Sequence, residues 1–237
     1  MAIEKIKSED RLTIYIGYDS NQNNPPCYNG VVNSPFQVCK KSIENYNSDI
    51  EIVPIRLDKL IEDGVYTREH DPKATTEFTY SRFLVPYLNN YKGKAIFMDS
   101  DFLWQCDIEE LLKFYNPELS VMCVQHDYTP RLKTKMDGIK QFNYPRKNWS
   151  SLMLFNCEHE NCKKLTPEII NTETPQYLHR MTWAEEIGAI PMEYNFLEGD
   201  YDSIHNPKAI HYTNGGPWYK TWDGEYRKNW TDIYDTL

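Results

Sequence analysis

Apolar residues along the chain fall into short runs that end in polar or glycine-containing segments, as is typical of buried strands. Strands are predicted at residues 12–17, 50–55, 94–98, 119–124, 149–155 and 209–212, with a short one after 190–191. Helical spacing of apolar residues predicts helices over 36–46, 58–66, 79–91, 108–114 and 182–187, whereas 21–34 is rich in Pro and Asn and predicts a loop.

Strands and helices alternate, and the strands of the first half are apolar throughout. This pattern favours an α/β fold with a mixed, mostly parallel central sheet flanked by helices. No internal repeat or linker divides the sequence, so we expect one domain spanning residues 1–237. Ligands of such folds bind at the carboxyl ends of the strands.

The predicted strand at 94–98 ends in Asp99-Ser100-Asp101. Residues i and i+2 of an extended segment point the same way, so the two carboxylates can converge on one hard cation such as Mn²⁺ or Mg²⁺. Such a cation would bridge the phosphates of a nucleotide diphosphate and neutralise a departing group. An Asp-X-Asp on a loop also serves as a turn or helix cap, so the pattern alone leaves both interpretations open.

The composition narrows the classes of partner. The net charge is -9, which disfavours binding to long nucleic acids but allows a small phosphorylated ligand bridged by a cation. Aromatic residues make up 14% of the chain, including 18 Tyr and 6 Trp, and they suit either the core or stacking on sugars and bases.

The lack of a recognisable membrane or secretory signal and the spacing of the cysteines favour a cytoplasmic protein. No apolar stretch approaches the length of a membrane span, and residues 1–11 lack the apolar region of a secretory signal. The six cysteines include no Cys-X-X-Cys pair, which indicates reduced thiols rather than a disulfide framework. The segment from Cys157 to Cys162 lacks a second set of ligands at zinc-finger spacing, so a loop is preferred there.

Five ordered blocks carry a family resemblance. They are residues 14–19, 76–83, 96–102, 146–151 and 211–218. The chain resembles the retaining glycosyltransferases of family eight, which include glycogenin and the lipopolysaccharide galactosyltransferases. It resembles more closely a bacterial set of family-eight-like proteins, over nearly its whole length. The resemblance implies a GT-A type fold with a Rossmann-like nucleotide-binding half, a UDP-sugar donor and a metal ion.

The resemblance implies a metal site made of Asp99, Asp101 and His211. Imidazole suits Mn²⁺ better than Mg²⁺, so manganese is preferred. The resemblance places Asp19 beside the uridine, with Tyr18 able to stack on the base, and it places Ser100 in the donor site.

The loop after His211 is predicted to bind the diphosphate. Gly215 and Gly216 allow close backbone approach and expose N–H groups. The family usually has a lysine where this chain has Gly216, and Lys220 is the candidate to supply that charge.

The resemblance also implies catalytic candidates. Arg82 would contact the donor sugar or orient Asp99. Glu185 and Glu186 fall near a family pair beside the anomeric carbon, and would act as nucleophile or stabilise an oxocarbenium-like charge. The block 149–151 departs from the family, but its Trp and two Ser are suited to packing against a sugar.

Other functions stay open in the sequence. A nucleotidyltransferase usually has a glycine-rich phosphate loop with a lysine near the N-terminus, which this chain lacks. A nucleotide-sugar hydrolase and a non-catalytic sugar-binding protein are also compatible with the sequence. The acceptor (a glycan, a lipid-linked sugar or a protein) is not identified, and a homo-oligomer is allowed. A basic cluster suits either an anionic acceptor or a solvated loop; its members are Arg131, Lys133, Lys135, Arg146 and Lys147.

Overall fold

The computed structural model describes residues 12–20, 34–136, 138, 140–204 and 206–237. Predictions for residues 1–11, for the loop at 21–33 and for Cys27 lie outside the described residues.

Two sheets contain the strands. Their bounds are β1 (Thr13–Tyr18), β2 (Glu51–Arg56), β3 (Lys94–Met98), β4 (Phe102–Trp104), β5 (Val121–Val124), β6 (Leu152–Asn156), β7 (Ile187–Ile190), β8 (Phe196–Leu197) and β9 (Ala209–His211). The α-helices are α1 (Ser34–Glu44), α2 (Leu57–Glu62), α3 (Val85–Leu88), α4 (Glu160–Lys163), α5 (Pro167–Thr172), α6 (Pro175–His179) and α7 (Arg227–Tyr234). Short 3₁₀ helices cover Ser81–Leu84, Ile108–Phe114, Trp149–Ser151 and Met192–Asn195.

The larger sheet has the strand order β2-β1-β3-β6-β5-β7. Strand β6 is antiparallel to β3 and β5, and the other pairings are parallel. The predicted mixed, mostly parallel sheet is therefore confirmed. The carboxyl ends of β1, β3 and β5 lie at one edge, where β6 begins, because Met98 pairs with Leu152.

The smaller sheet, in the order β4-β9-β8, joins distant parts of the chain. Strand β4 follows the Asp-Ser-Asp segment directly, and its Phe102 pairs with His211 of β9. This register brings the late histidine beside the two acids.

Hydrophobic clusters cover both faces of the larger sheet. Successive side chains of a strand point to opposite faces. Accordingly, Phe97 packs in one cluster with Phe83 and Phe155, while Ile96 and Met98 pack in the other. A third cluster joins the smaller sheet to α7 through aromatic side chains, including Tyr212, Trp218 and Trp230.

Two predicted elements are wrong in part or in full. The strand predicted at 149–155 begins only at Leu152, because Arg146 and Asn148 adopt φ of 61° and 62° and a 3₁₀ turn precedes it. The helix predicted at 182–187 is absent: the chain turns there and enters β7, whose pairing with β5 starts at Ile187.

Other helices differ in length or were not predicted. The helix predicted at 79–91 is a 3₁₀ helix followed by α3, which has Pro86 in its first turn. The unpredicted α5 and α6 each begin with a proline after a threonine, Thr166 and Thr174, whose side chains accept backbone hydrogen bonds. Within the described residues, no helix combines the length and apolar character needed to cross a membrane.

Candidate functional site

Three potential metal ligands meet at the edge where β3 ends. Asp99 and Asp101 lie in the turn between β3 and β4 rather than on an extended strand, and β9 contributes His211. One ligand atom from each residue lies within 4.8 Å of the other two. His211 Nε2 is 3.2 Å from Asp101 Oδ1. The structure thus brings together the three residues that the sequence analysis grouped.

The acids carry unused acceptor capacity. Asp99 Oδ1 and Asp101 Oδ1 are buried and accept no hydrogen bond from the described residues. Burial, reinforced by the charge of Asp101, raises the pKa of Asp99 to about 6, although Arg82 opposes the rise. Burial opposes ionisation of Asp101 too, but the neighbouring His211 outweighs it and lowers the pKa of Asp101. Buried carboxylate oxygens that accept no hydrogen bond and lie beside an imidazole nitrogen fit a divalent cation.

A buried hydrogen-bond chain sets the orientation of His211. Ser151 Oγ donates to the carbonyl of Asn148 (2.7 Å), so it accepts from Asn195 Nδ2 (2.9 Å). The Asn195 amide therefore turns its Oδ1 toward His211 Nδ1, 2.9 Å away, and Nδ1 is the donor. With Nδ1–H bound to Asn195, Nε2 is the ring nitrogen that faces the acids, and it can bind a metal ion there when it carries no proton. Asn195 and Ser151 were not predicted as site residues.

Arg82 forms an ion pair with Asp99. Its Nη1 lies 2.7 Å from Asp99 Oδ1 in an ion pair that lacks hydrogen-bond alignment. The guanidinium also donates to the carbonyls of Phe78 (3.2 Å) and Ser150 (3.0 Å) and lies over the rings of Phe78 and Phe97. Of the two roles expected for Arg82, this geometry favours orienting Asp99.

The residues expected to hold the nucleotide lie at the carboxyl end of β1, one strand from the metal ligands. Asp19 is buried, and its Oδ2 accepts from the backbone N–H of Glu77 at 3.4 Å. The ring of Tyr18 is half-buried and carries the guanidinium of Arg56 on its face, 4.9 Å from the centroid. Ser100, between the two acids, is fully buried.

The glycine loop has a packing role that the sequence did not reveal. A Cβ on Gly215, whose φ is 106°, would lie 2.8 Å from Met136 Cβ. A Cβ on Gly216 would lie 2.2 Å from the Trp218 indole. Both glycines therefore allow close packing, and their contact with a phosphate stays a prediction. Lys220 is exposed, and no described hydrogen bond or ion pair joins it to the metal ligands.

Glu185 and Glu186 are exposed and precede β7. Ile187 pairs with Val121 of β5, and Val121 pairs in turn with Phe155 of β6. Phe155 pairs with Ala95, so the two glutamates lie level with the start of β3. Asp99 follows the other end of β3, about 13 Å further along the strand direction. The structure does not bring these two glutamates to the metal ligands, so their catalytic role stays a prediction that the strand register does not favour.

A cavity of about 450 Å³ lies beyond the carboxyl end of β5. Its lining residues include His126, Tyr128, Asn143, Tyr144, Arg146 and Lys147. Nearby, the buried Asp200 accepts hydrogen bonds from Asn214 Nδ2 (3.1 Å) and from the backbone N–H of Arg131 (2.9 Å). His126 and Asp200 were missed because only the tertiary fold brings them to this edge. The sequence signal that could have identified Asn195 as a buried site residue was its position between two aromatic residues, Tyr194 and Phe196.

Sequence comparison supplies a family and a curated relative. A profile described as "Glycosyl transferase family 8" matches residues 29–225. The chain is 46% identical over 226 residues to "Protein CDI" of Arabidopsis thaliana, a match that covers 92% of this chain and 83% of that protein. Because this relative is a plant protein, membership of a bacterial subgroup stays a prediction.

Solved structures share the fold. The chain superposes on the galactosyltransferase LgtC, solved with donor and acceptor sugar analogues, with a TM-score of 0.59, 13% identity and coverage of 95% of this chain and 96% of that one. For GlyE of Streptococcus pneumoniae the TM-score is 0.61 and the identity 16%, over 94% of this chain and 60% of that one. For the bifunctional glycosyltransferase WbbM the TM-score is 0.62 and the identity 16%, over 98% of this chain and 52% of that one. The chain thus spans only about half of WbbM. At these identities the likeness establishes the GT-A type fold alone.

Proposed function

Since the chain belongs to glycosyl transferase family 8 and is a glycosyltransferase, we propose that it uses a UDP-sugar and a divalent cation, preferably Mn²⁺, and retains anomeric configuration. The observation that carries the metal dependence is the convergence of Asp99, Asp101 and His211 within 4.8 Å. Two buried oxygens of this trio accept no hydrogen bond from the described residues, so they have acceptor capacity for a cation.

The residues around the trio orient the three proposed metal ligands. A bound cation would neutralise the charge that develops on the diphosphate leaving group. Arg82 fixes the rotamer of Asp99 through its ion pair, and Asn195 keeps the Nε2 lone pair of His211 directed at the acids. These contacts hold the ligands in place before substrate arrives, which lowers the cost of binding.

The order of the strands gives the donor a direction. Asp19 lies at the end of β1, one strand from β3, while the cavity lies at the end of β5, two strands away on the other side. We place the nucleotide on the Asp19 side, with Tyr18 lining its path and the buried Ser100 supporting the turn behind it, and the sugars on the cavity side. Gly215, Gly216 and Lys220 remain candidates for the diphosphate, and Glu185 and Glu186 for the reacting carbon.

Cytoplasmic residence and a single catalytic domain over residues 1–237 belong to this proposal. The five cysteines among the described residues are free and buried, which is consistent with a reducing compartment.

The test is calorimetric titration of UDP with and without Mn²⁺, on the wild type and on Asp99→Asn and Asp101→Asn. We expect Mn²⁺-dependent binding that both variants lose, while Glu168→Gln, which removes an exposed charge on α5, binds as the wild type does. Metal-independent binding, or full binding by both variants, would contradict the proposal.

A donor screen by UDP release then examines catalysis. Acceptor-dependent UDP release supports transfer. Free sugar formed at the same rate with or without acceptors would indicate a hydrolase, and binding without any UDP release would indicate a sugar-binding protein.

A further inference from the structure

The basic cluster at residues 131–147 is not uniformly solvated. Arg131 is exposed and pairs with Asp202 at 2.7 Å, and Lys133 is exposed. Lys147 differs, since only 9% of it is exposed. Among the described residues its Nζ has no hydrogen bond and no ion pair, and it lies 4.9 Å from the centroid of the Tyr144 ring. A mostly buried lysine without an anionic partner is costly unless a ligand supplies one.

The backbone around Lys147 is held in an uncommon conformation. Both neighbours, Arg146 and Asn148, have positive φ, a region that non-glycine residues seldom occupy. Asn148 is fixed there by hydrogen bonds from its Nδ2 to Tyr128 Oη (2.8 Å) and Thr213 Oγ1 (3.4 Å). This turn carries Lys147 into the protein instead of out to solvent.

The cavity beside Lys147 has the size and lining of a sugar site. Its volume of about 450 Å³ falls in the range of small-ligand pockets. The phenol rings of Tyr128 and Tyr144 and the amide of Asn143 line it, a mixture of flat apolar faces and hydrogen-bonding groups. His126, also in the lining, has an Nε2 without a hydrogen-bond partner among the described residues.

The lining carries two cations, Arg146 and Lys147, and one carboxylate, the exposed Asp127, so its net charge is positive. Burial and the charge of Lys135 lower the pKa of Lys147 to about 8, with Asp200 acting in the opposite direction. Lys147 is therefore mostly protonated at neutral pH. Arg146 adds a second cation to the lining.

The cavity lies on the sugar side of the metal ligands. Two strand spacings separate β5 from β3, about 10 Å, and Asp19 lies in the opposite direction. The hydrogen bond between Asn148 and Thr213 ties this region to the segment after His211.

We propose that this cavity binds a sugar bearing a carboxylate or phosphate group, and that this anionic group pairs with the ammonium of Lys147. The inference rests on the proposed function only for its assignment to a substrate; the anionic sugar is either the acceptor or the transferred residue. Lys147 then acts as a specificity-determining residue that selects acidic over neutral sugars.

The first experiment measures binding without donor or metal, by calorimetry, of methyl glucuronide, glucose 6-phosphate and methyl glucoside. The wild type is expected to bind at least one acidic ligand about 10- to 100-fold more tightly than the glucoside. Lys147→Met should abolish that preference, and Lys147→Arg should retain part of it. Lys133→Met, an exposed lysine of the same segment, is the control and should behave as the wild type. Equal affinity for acidic and neutral ligands, or an unchanged preference in Lys147→Met, would overturn the inference.

The second experiment identifies the source of the anion. UDP release is compared for UDP-glucuronic acid and UDP-glucose as donors, and for acidic and neutral acceptors with the better donor. A preference among donors that Lys147→Met removes assigns the subsite to the transferred sugar, and one among acceptors assigns it to the acceptor. If Lys147→Met changes neither preference, the inference fails, although Mn²⁺-dependent UDP binding can still uphold the proposed function. Loss of glucuronide binding in Lys147→Met without metal-dependent UDP binding would uphold the subsite alone.

Discussion

The replacement Asn195→Ala tests how the protein prepares its histidine ligand. Asn195 and His211 are almost wholly buried, and Asn195 Oδ1 accepts the hydrogen bond from His211 Nδ1–H at 2.9 Å. Without it, the Nδ1–H is left unsatisfied, or the proton moves to Nε2 and blocks the ligand atom. An unsatisfied buried donor costs about 1–3 kcal/mol, and about 1.4 kcal/mol corresponds to a tenfold change in affinity.

The expected loss lies toward the lower end of that range. Phe102 stacks on the imidazole, with ring centroids 4.4 Å apart and planes 20° from parallel, and this contact keeps the ring in place when Asn195 is removed. We therefore expect Mn²⁺ affinity to fall about tenfold, within the 10- to 100-fold effect usual for residues that support metal ligands.

The assay is titration of Mn²⁺ followed by electron paramagnetic resonance of the free ion, with thermal unfolding recorded in parallel. Asn156→Ala is the matched control, because Asn156 is also buried and donates to the carbonyl of Pro117 at the opposite end of β6. Asn195→Asp keeps an acceptor for Nδ1–H and should recover most of the affinity. The reasoning is refuted if Asn195→Ala binds Mn²⁺ as tightly as the wild type while its stability falls no further than that of Asn156→Ala.

Two further predictions concern stability. Burial and the charge of Asp200 raise the pKa of Glu198 from 4.5 to about 7, so its contribution to stability is complete below pH 4.5 and is lost as the pH rises through 7. At about 1.4 kcal/mol per pH unit the full shift corresponds to about 3 kcal/mol, and screening by solvent reduces the expected loss to about 1–2 kcal/mol. Glu198→Gln should therefore be more stable than the wild type in urea at pH 8 but not at pH 4, whereas exposed Glu193→Gln should match it at both; equal stability of all three at pH 8 would count against this account. In β1, an added Cβ on Gly17 would lie 2.5 Å from Phe78 Cγ. Gly17→Ala should lower stability by about 1–3 kcal/mol in thermal unfolding and also weaken Mn²⁺ binding, because the Phe78 carbonyl holds Arg82; an unchanged melting temperature would contradict it.

Much of the larger sheet was predictable because its strands are apolar on both faces. The runs at β1, β3 and β5 are almost fully buried, so each stands out against polar flanks. Asp99 and Asp101 were found for the same reason, as two charges at the end of such a run. His211 was placed by family resemblance, since nothing local distinguishes it from another buried histidine.

The remaining parts of the site depend on contacts between distant segments. Lys147 belongs to a run of basic residues that resembles a solvated loop, and only the positive φ of Arg146 and Asn148 turns it inward. The helix expected at 182–187 failed because pairing with β5 overrides the local helical spacing. Asn195 acts through His211 and Ser151, and no spacing in the sequence reveals that link.

The pairing of β4 with β9 has a consequence for synthesis of the protein. During translation the two aspartates are synthesised more than a hundred residues before the histidine that completes the trio. Until the late strand docks in the register that opposes Phe102 and His211, the nascent chain holds a repulsive acidic pair without its third ligand. A slip of one residue would turn the imidazole to the other face of the sheet. Binding of the proposed cation would therefore require that the last strand has been placed correctly, and the cation present during translation would favour the correctly paired form over slipped ones.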